Sequence, residues 1–156
     1  RLVSRGLGDV YKRQDYKFGT VGVVVLDSKG NLVAGTSTGG MTGKRWGRIG
    51  DAPVIGAGTY ADNRSCAVSA TGHGEYFIRH TVARDICARM QFAGQSLQDA
   101  AETVITDELV AAGGDGGVVA VDASGEVSMV FNTPGMYRAS VSGSGEKRIG
   151  IFGDEP

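Results

Sequence analysis

The chain lacks a surplus of charge of either sign: 16 basic and 17 acidic residues leave it at −1, with a pI near 6.1. No basic surface therefore argues for nucleic acid or an anionic membrane as a partner. It also lacks any apolar run approaching the roughly 20 residues that span a bilayer, and no secretory signal is visible. Cysteine is scarce. Cys66 and Cys87 suggest neither a metal-ligand pair nor a disulfide framework, and they read as two buried thiols. Without structural disulfides the expected compartment is the cytoplasm. What the chain has in quantity is glycine, 26 of 156 residues, against a usual share of roughly 7%. With no Gly-X-Y period, these glycines mark turns and places of close backbone approach. A hydrophobic content of 41% fits one globular domain, or a large part of one.

Residues 1–14 show neither helical nor strand periodicity and read as a non-native or disordered head. Thr20–Leu26 is a valine-rich run without alternation, which predicts a strand buried on both faces. Asp27-Ser28-Lys29-Gly30 is a turn, and Asn31–Thr38 returns as the partner strand. Gly39–Asp51 reads as an ordered glycine-rich loop. Val54–Tyr60 and Ser65–Ala70 read as two more strands around Ala61–Arg64. From Glu75 the period lengthens: Phe77, Ile78, Val82, Ile86 and Met90 form one helical stripe ended by Gly94. Ser96-Leu97-Gln98-Asp99 looks like a capping box opening a second helix with Ala100, Val104 and Leu109 on its apolar side. Val118–Asp122 and Val127–Asn132 form a hairpin, and Tyr137–Ser142 and Arg148–Phe152 add short strands. Strands, two helices, then strands predict an α+β layered domain.

The chemistry-bearing residues gather at the strand ends. A threonine hydroxyl is a poor nucleophile until a base takes its proton. A free α-amine on the same residue, with a pKa of about 7.7–8.0, can do so. Thr20 meets that requirement if the chain is cut between Gly19 and Thr20, and the glycine tolerates the strain of Thr20 Oγ1 attacking its carbonyl. Taken alone, Gly-Thr is an ordinary strand start. Thr36-Ser37-Thr38 places hydroxyls at the end of the partner strand, beside Thr20. Arg48 and Asp51 set a cation and an anion in a glycine-framed loop. Such a pair either holds the α-carboxylate and α-amine of an amino acid or makes a solvated ion pair. Ala70-Thr71-Gly72-His73-Gly74-Glu75 lies at a strand-to-helix junction, where backbone N–H groups and the Thr71 hydroxyl either line an oxyanion hole or cap the helix.

With GTVG, TSTGG, GRxGDxP, GAGxYA, ATGxGE and FNTxGMYR in this order, Lys17–Phe152 resembles the β-subunit of the plant-type asparaginases, or isoaspartyl peptidases, of the N-terminal nucleophile hydrolase superfamily. The resemblance implies the β-subunit half of a four-layer αββα sandwich. Residues 15–19 would end the linker from an absent α-subunit, and 20–156 would form the catalytic β-subunit. It implies that Thr20 is the nucleophile freed by autocleavage after Gly19, with Thr38 assisting. Arg48 and Asp51 would grip the substrate, Thr71 and Gly72 would form the oxyanion hole, and Gly74 would help hold the amine. His73 would be a pocket-rim residue rather than a base. The implied reaction is hydrolysis of the asparagine side-chain amide or of β-aspartyl peptides, a small-molecule or dipeptide substrate, with no cofactor or metal in the chemistry. The implied partner is the α-subunit of the same precursor, usually in a dimer of αβ units, and a fragment without it would be unstable or inactive. TSTGG and GEYFIR favour this branch over glycosylasparaginases and taspase-like proteases. A non-catalytic glycine-rich binding module is the alternative outside enzymes.

Overall fold

The computed structural model describes residues 19–41, 43–45 and 47–153, so the head and residues 15–18 of the expected linker lie outside the described residues. Strands β1 (Thr20–Leu26) and β2 (Leu32–Thr38) form an antiparallel hairpin closed by Gly30, whose φ of 83° the turn requires. Strands β3 (Thr59–Ala61), β4 (Cys66–Gly72), β5 (Gly116–Asp122) and β6 (Val127–Ser128) pair in that order as an antiparallel sheet. Strands β7 (Arg138–Val141) and β8 (Lys147–Gly150) make a separate ribbon. The α+β reading holds.

One face of β4 and β5 carries the helices. Helix α1 (Gly74–His80) stops at Thr81, whose φ of 47° breaks the stripe expected to run unbroken from Phe77 to Met90. Helix α2 (Val82–Ala93) then continues it and ends at Gly94 in the left-handed region, as read. Helix α3 (Leu97–Glu102) opens with the Ser96 hydroxyl accepting from the Asp99 N–H at 3.1 Å, the predicted cap. It widens into a π-helical segment, Thr103–Glu108, and closes with α4 (Leu109–Ala111). Phe77, Ile86, Leu97, Ile105 and Leu109 are fully buried against Val68 and Val118 of the sheet. Each such side chain contributes about 1.5–3 kcal/mol on leaving water.

The hairpin packs on the other face of the same sheet. Leu26, Leu32, Val24 and Ala34 meet Ala67 and Val121 there. Strand β1 therefore alternates after all. Thr20, Gly22, Val24 and Leu26 point to the sheet, whereas Val21, Val23 and Val25 point outward, Val21 being 70% exposed. The expectation of a strand buried on both faces is corrected. A run of valines carries no sign of which side is covered, and here only one layer covers it.

Two other readings are overturned. Val54–Tyr60 is strand only from Thr59. Residues 51–58 instead form a folded loop tied by Val54 N–H to the Asp51 carbonyl, Ala57 N–H to Val54 and Gly58 N–H to Asp51. The carbonyls of Gly56 and Ala57 accept from Arg84 and Ala83 in the first turn of α2, satisfying helix N–H groups that have no internal partner. Cys66 and Cys87 are not two thiols but a disulfide, because β4 and α2 bring their Cα atoms to 5.5 Å. The ground for expecting a cytoplasmic protein is thereby removed. Among the described residues no helix is long and apolar enough to cross a membrane.

Candidate active site

At the open end of the hairpin, register alone sets Thr20 opposite Thr38. Directly paired residues point to the same side, so both hydroxyls face the sheet. Thr20 Oγ1 donates to Thr38 Oγ1 at 3.1 Å, and Thr38 Oγ1 donates onward to the Gly19 carbonyl at 3.0 Å while accepting the Gly40 N–H at 2.8 Å. The hydroxyl of Thr38 thus connects the Thr20 side chain to the carbonyl on the other side of the Gly19–Thr20 bond.

These groups open onto a cleft of about 110 Å³, lined also by Arg48, Asp51, Gly72 and Gly74. Six of the expected site positions, together with Gly19, converge here from four separate stretches of chain. Thr71 is the exception: it does not line the cleft. It follows Ser69 by two residues on the hairpin-facing side of β4, so it lies at the same end of the sheet as Thr20 and Thr38 without reaching the cavity surface. Gly72 takes the lining position instead, at a φ of 145° and so close to β5 that a Cβ would lie 2.7 Å from Gly116 Cα. His73, expected at the pocket rim, is not among the residues that line the cleft. It stands at the N-terminal end of α1 with its Nδ1 against the Asp115 carboxylate.

Arg48 and Asp51 make no ion pair with each other. The guanidinium donates to the Gly39 carbonyl at 3.0 Å and occupies the space a side chain at Gly40 would need. Asp51 is only 9% exposed. Two glycines make room for it: a Cβ on Gly74 would lie 2.5 Å from its Oδ1, and one on Gly58 would lie 2.7 Å from its Oδ2. Burial pushes the Asp51 carboxyl above its ordinary value of 3.8, against the opposing pull of nearby backbone N–H groups and the Lys44 charge. The arrangement leaves an anion and a cation both facing one cleft and neither neutralised by the other, which suits a zwitterionic ligand.

Sequence reasoning missed Lys44, Glu75, Met41, Ile49 and Ile78, which complete the walls. Lys44 Nζ lies 3.3 Å from Glu75 Oε2, a half-exposed pair that contributes little stability but sets the charge beside Asp51. Glu75 and Ile78 lay inside quoted motifs, but no spacing rule connected them to Thr20. FNTPGMYR, by contrast, does no work at the cleft. Asn132 accepts the Gly116 N–H at 2.8 Å and donates to the Ile105 carbonyl at 2.9 Å, and Arg138 donates to the Phe152 carbonyl at 2.9 Å.

The buried Asp51 allows a prediction with two opposite signs. A raised folded-state pKa means that the ionised carboxylate costs stability above that pKa, a cost that fades as pH falls through it. Binding of a ligand ammonium needs the ionised form and fades over the same range, above 3.8. Asp51→Asn is therefore expected to raise Tm at neutral pH yet weaken amino-acid binding by about tenfold or more, as loss of a charge-assisted hydrogen bond does. Thermal melts and titration calorimetry check both halves. A variant that melts lower and binds normally would refute the assignment.

Comparison with known proteins points to one family. The profile of a family described as Asparaginase matches residues 5–151. The isoaspartyl peptidase of Escherichia coli (strain K12) is 58% identical over 123 residues, which is 79% of this chain and 38% of that protein. The isoaspartyl peptidase of Salmonella typhimurium is also 58% identical over 123 residues, covering 79% of this chain and 39% of its own length. The isoaspartyl peptidase/L-asparaginase of Xenopus laevis is 43% identical over 137 residues, 88% of this chain and 44% of its own. The chain thus spans less than half the length of these relatives.

Proposed function

Since the chain belongs to the asparaginase family, we propose that it carries the catalytic half of a threonine-nucleophile amidohydrolase acting on L-asparagine and β-aspartyl peptides. The observation that carries this reading is the hydrogen-bond chain Thr20–Thr38–Gly19 beside a cleft with an unneutralised Arg48 and Asp51. In maturation, Thr20 Oγ1 attacks the Gly19 carbonyl carbon and an Oγ–C bond forms. The Gly19–Thr20 C–N bond breaks, and the proton leaving Thr20 passes by way of Thr38 to the departing nitrogen. Water then hydrolyses the ester, which leaves Thr20 with a free α-amine.

In turnover that amine takes the Thr20 proton while Oγ1 attacks the side-chain carbonyl of the substrate. Ammonia or an α-amino leaving group departs, and water cleaves the β-aspartyl ester to aspartate. Arg48 holds the α-carboxylate, and Asp51 holds the α-ammonium with Gly74 leaving room for it. The Gly72 backbone at the cleft wall, with Thr71 behind it, stabilises the developing oxyanion. The names of the bacterial relatives favour isoaspartyl peptides over glycosylated asparagine as the substrate class.

The fold reading extends in the same way. The outward valines of β1, with Val33 of β2 at 55% exposure, form the face on which the fourth layer of an αββα sandwich would lie. The α-subunit of the same precursor would supply that layer, and αβ units would pair as dimers. The test is to express the full-length protein, determine the new N-terminus by mass spectrometry, and assay it on L-asparagine, a β-aspartyl dipeptide and N-glycosylated asparagine. A species beginning at Thr20 that hydrolyses the first two substrates is expected. An uncut chain that still binds aspartate would instead favour the binding module.

A further inference from the structure

Beneath the cleft lies a second set of hydroxyls that the chemistry above does not use. Thr36 Oγ1 lies 2.6 Å from Ser69 Oγ, 2.5 Å from Thr59 Oγ1 and 3.2 Å from the Gly58 carbonyl, and Thr59 Oγ1 lies 3.0 Å from the Ala52 carbonyl. The three hydroxyls belong to three strands: β2, β3 and β4. Ser69 is 3% exposed, so its hydroxyl would be costly to bury without this partner. Gly22 opens the passage between the layers. It pairs with Thr36 in the hairpin register, and a side chain there would overlap the Ser69 hydroxyl.

From this geometry we infer that Thr36, Thr59 and Ser69 are positioning residues that set the distance between Thr20 and Asp51. Thr36 stands two residues before Thr38, on the same face of β2. At the far end of the chain of hydroxyls, the carbonyls of Ala52 and Gly58 belong to the loop that carries Asp51, and Gly58 also accepts nothing less than the Ala70 N–H and contacts Asp51 itself. With one proton per hydroxyl, Ser69 donates to Thr36. Thr36 donates to the Gly58 carbonyl, and the single proton of Thr59 goes either to Thr36 or to the Ala52 carbonyl, so three of the four contacts are hydrogen bonds at any one time. The nucleophile strand and the ammonium-binding loop share no continuous strand pairing, and at the cleft end of the hairpin this polar contact, added to the apolar packing farther along at Val24, Leu26, Leu32 and Ala34, fixes them sideways. The Thr20–Thr38 pair depends on the β1–β2 ladder instead, and it survives loss of the network. The network therefore acts on where the ligand sits and not on how Thr20 is activated.

This inference rests on the reading of Asp51 as the ammonium site. Its test uses the full-length protein with two readouts: the affinity for L-aspartate by titration calorimetry, and KM and kcat on a β-aspartyl dipeptide. Thr36→Val keeps the shape and removes the hydroxyl. It is expected to weaken L-aspartate binding and raise KM by about tenfold, with kcat within about threefold, as loss of one well-placed hydrogen bond implies. Thr36→Ser restores both, and Thr59→Val reproduces the loss from the other end of the chain of hydroxyls, also serving if Thr36→Val does not fold. Unchanged L-aspartate affinity and KM in the folded valine variants overturns the inference, as does a fall in kcat with KM constant. Failure of the functional reading looks different: the wild type binds L-aspartate with the same dependence on Thr36 but hydrolyses nothing.

Discussion

Thr20→Ala is expected to leave the Gly19–Thr20 bond intact and to abolish turnover, with kcat down by about 10⁵-fold or more, the scale on which removal of a nucleophile acts in triad hydrolases. On the proposed mechanism one substitution removes both activities because one atom would perform both. Oγ1 of Thr20 would be the attacking atom in maturation and in turnover, and the α-amine proposed as base in the second would exist only after the first. The fold should not suffer. Thr20 is the terminal residue of β1, half-buried, and its hydroxyl bonds only to Thr38 among the described residues. Intact-mass analysis and circular dichroism on the same preparation give the decisive comparison: an uncut, folded, inactive chain. Thr20→Ser, by contrast, retains the hydroxyl and is expected to cleave and turn over at a reduced rate. A Thr20→Ala protein that still matured, or still hydrolysed a β-aspartyl dipeptide, would move the nucleophile elsewhere.

Val23→Lys is expected to have opposite consequences in two settings. In the 156-residue chain by itself, Val23 points to water from the outer face of β1. Its neighbour directly across the hairpin is Gly35, so a lysine there has no side chain opposite it and its ammonium reaches water. The variant should fold as well as the parent and self-associate less, because it interrupts an exposed apolar patch. In the full-length protein the same face would be covered by the fourth layer. There the substitution removes a buried valine and brings a charge into its place, at a cost of about 3 kcal/mol or more. Sedimentation of the chain alone and thermal melting of the full-length protein check the two arms. Equal tolerance in both settings would mean that no layer covers the valines.

Much of this was legible in the sequence for identifiable reasons. The hairpin at Gly30, the cap at Ser96 and the stop at Gly94 are local events, set by turn chemistry and side-chain reach within a few residues, and each is where the residues place it. The convergence of Thr20, Thr38, Arg48, Asp51, Gly72 and Gly74 was legible only through the order of the motifs. Period and propensity contain no term for which loops meet. The errors share a cause. Valines at 21, 23 and 25, cysteines at 66 and 87, and the apolar stretch from Val54 are each compatible with two environments, and the choice depends on what lies opposite.

By itself the sequence determined most of the elements and the kinds of chemistry available: a strand opening on threonine, a loop with one anion and one cation, and glycines where backbone must come close. The tertiary structure decided the rest. It set Thr38 between Thr20 and the Gly19 carbonyl, kept Arg48 and Asp51 apart, withdrew Thr71 from the cleft surface, joined the two cysteines and left one valine face uncovered. Most of these depend on residues far apart in the chain, and even Arg48 and Asp51, three residues apart, are separated by what each packs against. Such distances follow from how layers stack and which faces they bury, and those are properties of the packed molecule that no local stretch of residues encodes.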